Sequence, residues 1–330
     1  MKLNNRIVKQ LRKEGYRIVG NHSAVKICRW TKKSLRNEGE CYKSKFYGIN
    51  TNSCCQISCS LLNCQNKCIH CWRDLKYSCP DEIKNPDSAN SIIEGCIKEQ
   101  RKLLEGFKIL PETKYKTVSK VNMKKWEEAQ LPTQFAISLT GEGTLYPKIG
   151  ELILELRKRG KTSFLVTNGL YPEKIKELKN KKQLPTQLYV SVNSPNEEIY
   201  NKFHRSSKKN AWKKLNETLE LIAKLKSKTR TVVRLNLVRN LNMDNKYIKE
   251  YAKLIKKASP LFLEIKGYMA VGHARERLGY ERMPTDKEME DFAEEISKKT
   301  GLKILDKHEF SRVLVLGKNK KDLKIKKNGI

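Results

Sequence analysis

Three cysteines share the stretch Cys64-Gln-Asn-Lys-Cys68-Ile-His-Cys71-Trp-Arg73, with the spacing C-x₃-C-x₂-C. Three thiolates on one short loop can converge on a single soft metal centre. A structural zinc ion prefers four protein ligands. A [4Fe–4S] cube held by three cysteines instead leaves one iron open to a small molecule. The spacing therefore favours an iron–sulfur cluster; the alternatives are a zinc-stabilised RNA-binding module and buried core thiols.

Outward from this loop, the apolar pattern alternates between strand and helix. Six predicted strands lie at residues 56–61, 135–139, 163–167, 187–192, 231–238 and 261–265, and two further strands are predicted at residues 18–19 and 312–316. Helical stripes separate them, one of which buries Cys96, and a later helix begins at the capping box Thr285–Glu288. This order predicts an α/β fold with six βα units and a parallel sheet that could curve into a partial (βα)6 TIM-like barrel. Catalytic groups then belong at the carboxyl ends of the strands, where the cysteine loop lies.

The chain divides into three predicted regions. Residues 1–55 form an N-terminal extension, residues 56–270 form the barrel core, and residues 271–330 form a helix and strand extension with a basic tail. All ten cysteines fall in the first 96 of 330 residues. Neither a signal peptide nor a membrane-length apolar run is evident, so we expect a cytoplasmic protein whose cysteines bind metal rather than form disulfides.

The formal net charge is +33. Such a charge favours a polyanionic partner, most simply a nucleic acid, although a general bias towards lysine would produce the same total.

Small polar residues follow three of the predicted strands. Thr140-Gly141-Glu142 comes directly after the second strand, Asn168 after the third, and Ser191 and Asn193 end the fourth. A glycine in such a place leaves backbone N–H and C=O groups open to a ligand. Together these residues predict a binding edge, although each could equally be ordinary turn chemistry.

The chain resembles the radical S-adenosylmethionine (SAM) enzymes in its cysteine loop, and more closely the tRNA 4-demethylwyosine synthases in their single-domain archaeal form. The closer resemblance is carried by residues 24–36, 41–48, 64–73, 135–142, 144–147, 264–269 and 308–312. It extends over roughly residues 15–317. The chain departs from the family pattern at three points: Gly143 replaces the usual proline, Asn193 a frequent aspartate, and Ser58-Cys59 a more usual Thr-Pro. These departures affect the expected local loop geometry.

The resemblance implies two [4Fe–4S] clusters. Cys64, Cys68 and Cys71 would hold the first, whose open iron binds SAM, and His70 would stack on the adenine. Further SAM contacts are implied for Thr140, Gly141, Glu142, Asn168, Ser191 and Asn193. Cys28, Cys41 and Cys54 would hold the second cluster, in the N-terminal extension, with pyruvate as co-substrate.

Two details of the second site follow from an extended chain, in which neighbouring side chains point to opposite sides. Only one of Cys54 and Cys55 can then reach the cluster, and the family spacing favours Cys54. Lys43 would share a face with Cys41, so that it could form a Schiff base with pyruvate, as the family motif also implies. Lys45 would lie on the same face and is the competing lysine.

The implied activity is carbon–carbon lyase chemistry on RNA. Pyruvate would condense with N1-methylguanosine-37 in the anticodon loop of tRNA-Phe and lose its carboxyl carbon, giving tricyclic 4-demethylwyosine. The base must leave the loop to reach the site. We expect a monomer that receives single electrons from a flavodoxin- or ferredoxin-type donor. The alternative enzyme is another radical SAM protein with an auxiliary cluster, acting on a peptide.

Overall fold

The protein is described here by a computed structural model covering residues 3–108 and 121–326. It comprises two compact units. The first consists of Met1–Leu61, Ile83–Phe164 and Lys324–Ile330, and the second of Leu62–Glu82 and Leu165–Leu323. Within the described residues no helix is long and apolar enough to cross a membrane.

Helices and strands alternate along most of the described chain. The helices are α1 Asn5–Lys13, α2 Arg29–Leu35, α3 Tyr42–Tyr47, α4 Ala89–Glu105, α5 Met123–Ala129, α6 Ile149–Lys158, α7 Pro172–Asn180, α8 Glu197–His204, α9 Ala211–Ala223, α10 Ile248–Ala258, α11 Ala274–Leu278 and α12 Asp286–Thr300. The strands are β1 Arg17–Val19, β2 Ser23–Val25, β3 Cys54–Ser58, β4 Gln134–Ile137, β5 Thr162–Thr167, β6 Gln187–Ser191, β7 Arg230–Leu237, β8 Phe262–Gly267, β9 Lys303–His308 and β10 Val313–Gly317.

In the first unit, strands β1 to β4 are neighbours in chain order. β1 and β2 form an antiparallel hairpin, β2 pairs antiparallel with β3, and β3 pairs parallel with β4. The long helix α4 packs against β1, β3 and α6. It buries Ile92, Ile93 and Cys96 completely; Ile92 and Cys96 belong to the predicted helical stripe, whose third member, Leu103, is half-buried.

In the second unit, β6, β7 and β8 run parallel. Strand β10 then pairs antiparallel with β8, and β9 pairs antiparallel with β10 at the edge. Helix α10 packs between α9 and α12. The predicted capping box is present at the start of α12, where the side chains of Thr285 and Glu288 each accept from the other residue's backbone N–H.

The α/β prediction is confirmed, and the parallel pairs lie where the sequence placed its strands. The sequence did not predict strands β2 and β9 or the helices α2, α3, α5, α7, α8 and α11. Residues 303–308 are largely exposed along β9, so no alternation of buried and exposed side chains marks this edge strand. The part of the predicted basic tail beyond residue 326 lies outside the described residues. The three-region division at residues 55 and 270 stays a prediction.

Candidate functional site

The loop with the first cysteine triplet is held by backbone hydrogen bonds. Cys64 N–H donates to the carbonyl of Cys79 over 2.8 Å, and Cys71 N–H donates to the carbonyl of Cys68, closing a turn. Two further loop amides, of residues 67 and 69, donate to the last two carbonyls of α8, on Phe203 and His204. The final carbonyls of a helix have no partner within the helix, so these bonds satisfy both elements.

The three thiols of this loop occupy one half-buried site. The pKa of Cys68 is raised well above its usual value, first by burial and then by the nearby charges that Cys64 and Cys71 would carry. The buried Arg73 guanidinium donates to the Leu62 carbonyl. Burial alone would lower the Arg73 pKa, but the three thiolates more than offset it and raise that pKa. A cationic group beside three clustered soft donors fits an anionic thiolate-bound cluster.

Two histidines lie beside this loop. The ring of His70 stacks on Phe203, with centroids 4.8 Å apart, and faces the ring of His204 edge-on at 6.3 Å. Burial and the charge of Arg277 lower the pKa of His70 to about 4. Burial, followed by the charge of His70, lowers the pKa of His204 to about 3. Both rings are therefore neutral at pH 7 and can act as stacking surfaces or as hydrogen-bond partners.

His204 was not identified from the sequence. Its Nδ1 atom lies 3.1 Å from Cys68 Sγ, although 136 residues separate the two in the chain. The sequence carries a single histidine here, without a spacing motif that would signal a metal or catalytic site. Its signal is spatial, and it appears only when α8 is placed against the loop.

The second cysteine triplet forms a separate site within the first unit. Cys28 and Cys41 immediately precede α2 and α3, and Cys54 begins β3. All three thiols are half-buried. Burial, with the charges that Cys28 and Cys41 would carry, raises the pKa of Cys54 to about 12, against an opposing effect of Lys43. The structure thus brings the three predicted cysteines and the predicted lysine together.

Cys55 faces away from this site. It is completely buried, and burial, followed by the charges that Cys96 and Cys54 would carry, raises its pKa well above the usual value. Alternation along β3 therefore separates the two adjacent thiols, as an extended chain requires.

Among the described residues, no three His, Cys, Asp or Glu side chains lie close enough to hold a single metal ion.

The surroundings of Lys43 differ from the extended chain that the sequence suggested. Residues 42–47 form α3, so Lys43 and Lys45 do not share a face. Lys43 is buried, with Nζ 4.9 Å from the centre of the Phe164 ring and its backbone N–H 3.5 Å from Cys41 Sγ. Lys45 is exposed. The helix therefore distinguishes two lysines that an extended chain would have made equivalent.

The predicted glycine-rich edge makes a tight turn in the first unit. Gly141 has φ +72°, and a Cβ there would lie 1.7 Å from the Ser60 carbonyl oxygen. Thr140 Oγ1 donates to the Leu61 carbonyl, and the buried Glu142 carboxylate accepts from the N–H and hydroxyl of Thr144. Only glycine allows this close approach.

The remaining predicted SAM contacts lie in the second unit. Asn168 Nδ2 is 4.0 Å from Cys64 Sγ, and its Oδ1 accepts from the Leu170 N–H. Ser191 ends β6 and is half-buried. Asn193 is buried, and its Oδ1 accepts from the backbone N–H of Asn236 on β7. Of these three, Asn168 approaches the first cysteine triplet, and the SAM-contacting roles stay predictions.

Two family models match the chain. One, described as the radical SAM superfamily, matches residues 61–255, and one described as wyosine base formation matches residues 257–318. A Pyrococcus horikoshii protein named S-adenosyl-L-methionine-dependent tRNA 4-demethylwyosine synthase is 45% identical over 94% of this chain and 88% of its own length. A Methanocaldococcus jannaschii protein of the same name is 36% identical over 94% of this chain and 95% of its own length.

Two solved structures are similar throughout. TYW1 with a lysine-pyruvate adduct bound superposes with a TM-score of 0.82 at 35% identity, covering 98% of this chain and 99% of that chain. A crystal structure of archaeal TYW1 gives a TM-score of 0.75 at 32% identity, with the same coverage. The similarity therefore includes both units.

Proposed function

Because the chain belongs to the tRNA 4-demethylwyosine synthase family of radical SAM enzymes, we propose that it condenses pyruvate with N1-methylguanosine-37 of tRNA-Phe to form 4-demethylwyosine. The observation that carries this proposal is the 45% identity to a synthase over nearly the whole length of both chains. The enzyme uses SAM and an iron–sulfur cluster, and its substrate is a tRNA. We further propose that the tRNA is tRNA-Phe, that the enzyme holds a second cluster, and that pyruvate is the co-substrate.

Cys64, Cys68 and Cys71 would hold the first [4Fe–4S] cluster. A cluster bound there would supply the electron that cleaves SAM into methionine and a 5′-deoxyadenosyl radical, which would take hydrogen from the N1-methyl group of the base. The chain's own part is to fix the three sulfurs by backbone bonds to residues 79, 203 and 204. His70 and Phe203 present stacked rings beside the loop, which suits an adenine or a guanine base.

Cys28, Cys41 and Cys54 would hold the second cluster, and Lys43 would bind pyruvate beside it. Lys43 lies buried against Phe164, next to Cys41, so its amine is held in a restricted volume. A neutral amine can attack a keto group, and loss of the keto oxygen as water would leave a Schiff base that fixes the pyruvate carbon skeleton. The similar structure of TYW1 that contains a lysine-pyruvate adduct supports this role.

The remaining proposals concern architecture and partners. The parallel pairs β3–β4 and β6–β7–β8 are consistent with the predicted partial barrel. The charge of +33 suits an RNA partner. A flavodoxin- or ferredoxin-type donor would deliver electrons to a monomer.

The test is anaerobic turnover of the reconstituted protein with SAM, pyruvate, a reductant and N1-methylguanosine-containing tRNA-Phe, read by nucleoside mass spectrometry. Formation of 4-demethylwyosine is the expected result. SAM cleavage without a modified nucleoside would favour the peptide-acting radical SAM alternative. Colourless protein that binds zinc and no iron would support the RNA-binding module instead.

The lysine is tested by borohydride trapping with labelled pyruvate and peptide mapping. Label on Lys43, with product lost in Lys43→Ala and retained in Lys45→Ala, supports the assignment. The two lysines are matched in type and separated by burial, so label on Lys45 would contradict it.

A further inference from the structure

We propose that His204 is a positioning residue that donates an Nδ1–H hydrogen bond to the sulfur of Cys68 and thereby raises the reduction potential of the first cluster. The inference rests on the proposed cluster at Cys64, Cys68 and Cys71. Its observation is the distance of 3.1 Å between His204 Nδ1 and Cys68 Sγ.

The direction of the hydrogen bond follows from the chemistry of the sulfur. A cysteine that ligates iron is a thiolate, which has no proton and can only accept. The proton between the two atoms must therefore belong to the imidazole, on Nδ1. Within the described residues, Nε2 of His204 is buried without a hydrogen-bond partner. A lone pair is tolerated there better than an N–H group, so the surroundings also favour the neutral tautomer with its proton on Nδ1.

The ring has little freedom to turn away. His204 is 3% exposed. The ring of Tyr200 packs on it with centroids 4.5 Å apart, and Phe203 and His70 border it at 5.3 and 6.3 Å. The carbonyl of His204 also accepts from the Lys67 N–H over 2.9 Å, one residue before Cys68. His204 therefore contacts two adjacent loop residues, Lys67 through its backbone carbonyl and Cys68 through its side chain.

The expected effect is electronic. Reduction adds one electron, taken from the external donor, to an already anionic thiolate-bound cluster, while the proton stays on Nδ1. A hydrogen bond to the sulfur stabilises the more negative, reduced state more than the oxidised state, which raises the potential. Removing one such donor should shift the reduction equilibrium by about tenfold, or ~59 mV for one electron, towards the oxidised form.

The test compares two substitutions of similar shape. His204→Asn keeps an N–H donor near the position of Nδ1, whereas His204→Leu removes it. Both leave the backbone bond to Lys67 intact and create similar space beside Tyr200. Each reconstituted protein is titrated with a reductant and followed by electron paramagnetic resonance, at the cluster whose signal changes on adding SAM. Iron is quantified in parallel, and the other cluster serves as the internal control.

We expect His204→Leu to lower the potential by about the tenfold equivalent, ~59 mV, while His204→Asn stays near the unsubstituted protein. Equal shifts in both variants, or equal loss of iron from both, would show that His204 only fills space and would overturn the inference. An unchanged potential in His204→Leu would also overturn it. Failure of all proteins, including the unsubstituted one, to bind a SAM-responsive cluster would instead refute the proposed function.

A measurement without substitution of His204 covers the case in which both variants fail to fold. Protein labelled with ¹⁵N-histidine, in a His70→Phe background, should show a weak ¹⁵N coupling to the reduced SAM-responsive cluster in pulsed resonance spectra. The His70 substitution removes a neighbouring imidazole, whose ring centre lies 6.3 Å from that of His204, while keeping an aromatic ring. Absence of the coupling would contradict the inference.

Discussion

Replacing the adjacent cysteines of β3 should produce opposite phenotypes. Cys54 is half-buried beside Cys28, Cys41 and Lys43, whereas Cys55 is completely buried near Cys96. If the second triplet binds a cluster, Cys54→Ala removes one ligand and lowers iron from about eight to about four atoms per chain. Cys55→Ala should keep all the iron, since its side chain points to the other face of the strand.

For stability we expect the opposite order, with Cys55→Ala destabilising the protein more than Cys54→Ala. Cys55→Ala deletes a fully buried sulfur and leaves a small cavity, which costs about 1–2 kcal/mol. The first unit has about 150 residues, and at that size such a cost lowers the melting temperature by roughly 2–8 °C. Cys54→Ala removes a half-buried atom and should cost less than ~1 kcal/mol in the cluster-free protein.

Iron and acid-labile sulfide are measured after anaerobic reconstitution, and melting is followed in cluster-free, reduced protein. Measuring stability without cluster removes the contribution of ligand binding to the folded state. Iron lost from Cys55→Ala and kept in Cys54→Ala would refute the assignment and shift the ligand by one residue. If the variant lacking Cys28, Cys41 and Cys54 kept all its iron, these cysteines would not bind a second cluster.

Three further predictions concern stability and RNA binding. Gly141→Ala should destabilise the protein by about 3–5 kcal/mol, through left-handed backbone strain and the overlap with the Ser60 carbonyl. Gly160→Ala, with φ +65° and nothing near its Cβ, should cost only the strain of about 1–2 kcal/mol; equal losses of melting temperature would contradict this. The Arg239 guanidinium lowers the pKa of Glu288 to about 2 from a usual 4.5. The ionised Glu288 therefore adds its full contribution to the free energy of unfolding above pH 4.5, and this contribution is lost as the pH falls through 2. Because both side chains are partly exposed, Glu288→Gln should cost only about 1 kcal/mol at pH 7, and the difference in denaturant unfolding should shrink below pH 4.5. The affinity for tRNA should fall about tenfold or more between 50 and 200 mM salt in a filter-binding assay, through counterion release, and a flat response would assign the lysines to compositional bias.

The parts of the fold that the sequence could predict are those with a strong apolar period. Helix α4 and strands β6 and β7 bury long runs of side chains, and burial imposes a period that can be detected in the residues alone. Helices α2 and α3 have seven and six residues, too few turns for a clear stripe. Because α3 is helical, the expectation that Lys43 and Lys45 share a face was wrong.

The candidate site divides in the same way. The two cysteine triplets and Lys43 are visible in the sequence because their residue types and spacing resemble a known pattern. His204 is invisible, because its relation to Cys68 arises from the docking of α8 against a loop 136 residues earlier. For Asn193 the sequence predicted a contact with SAM, whereas in the structure its side-chain amide oxygen accepts a hydrogen bond from the backbone of β7.

The proposed function requires that pyruvate supplies the carbons that close the third ring on the tRNA base. The most direct measurement is turnover with pyruvate labelled with ¹³C at a single position, followed by nucleoside mass spectrometry. We expect 4-demethylwyosine to carry the label of [2-¹³C]pyruvate and none from [1-¹³C]pyruvate, because the carboxyl carbon is lost. An unlabelled product from [2-¹³C]pyruvate, or retention of the carboxyl label, would contradict it.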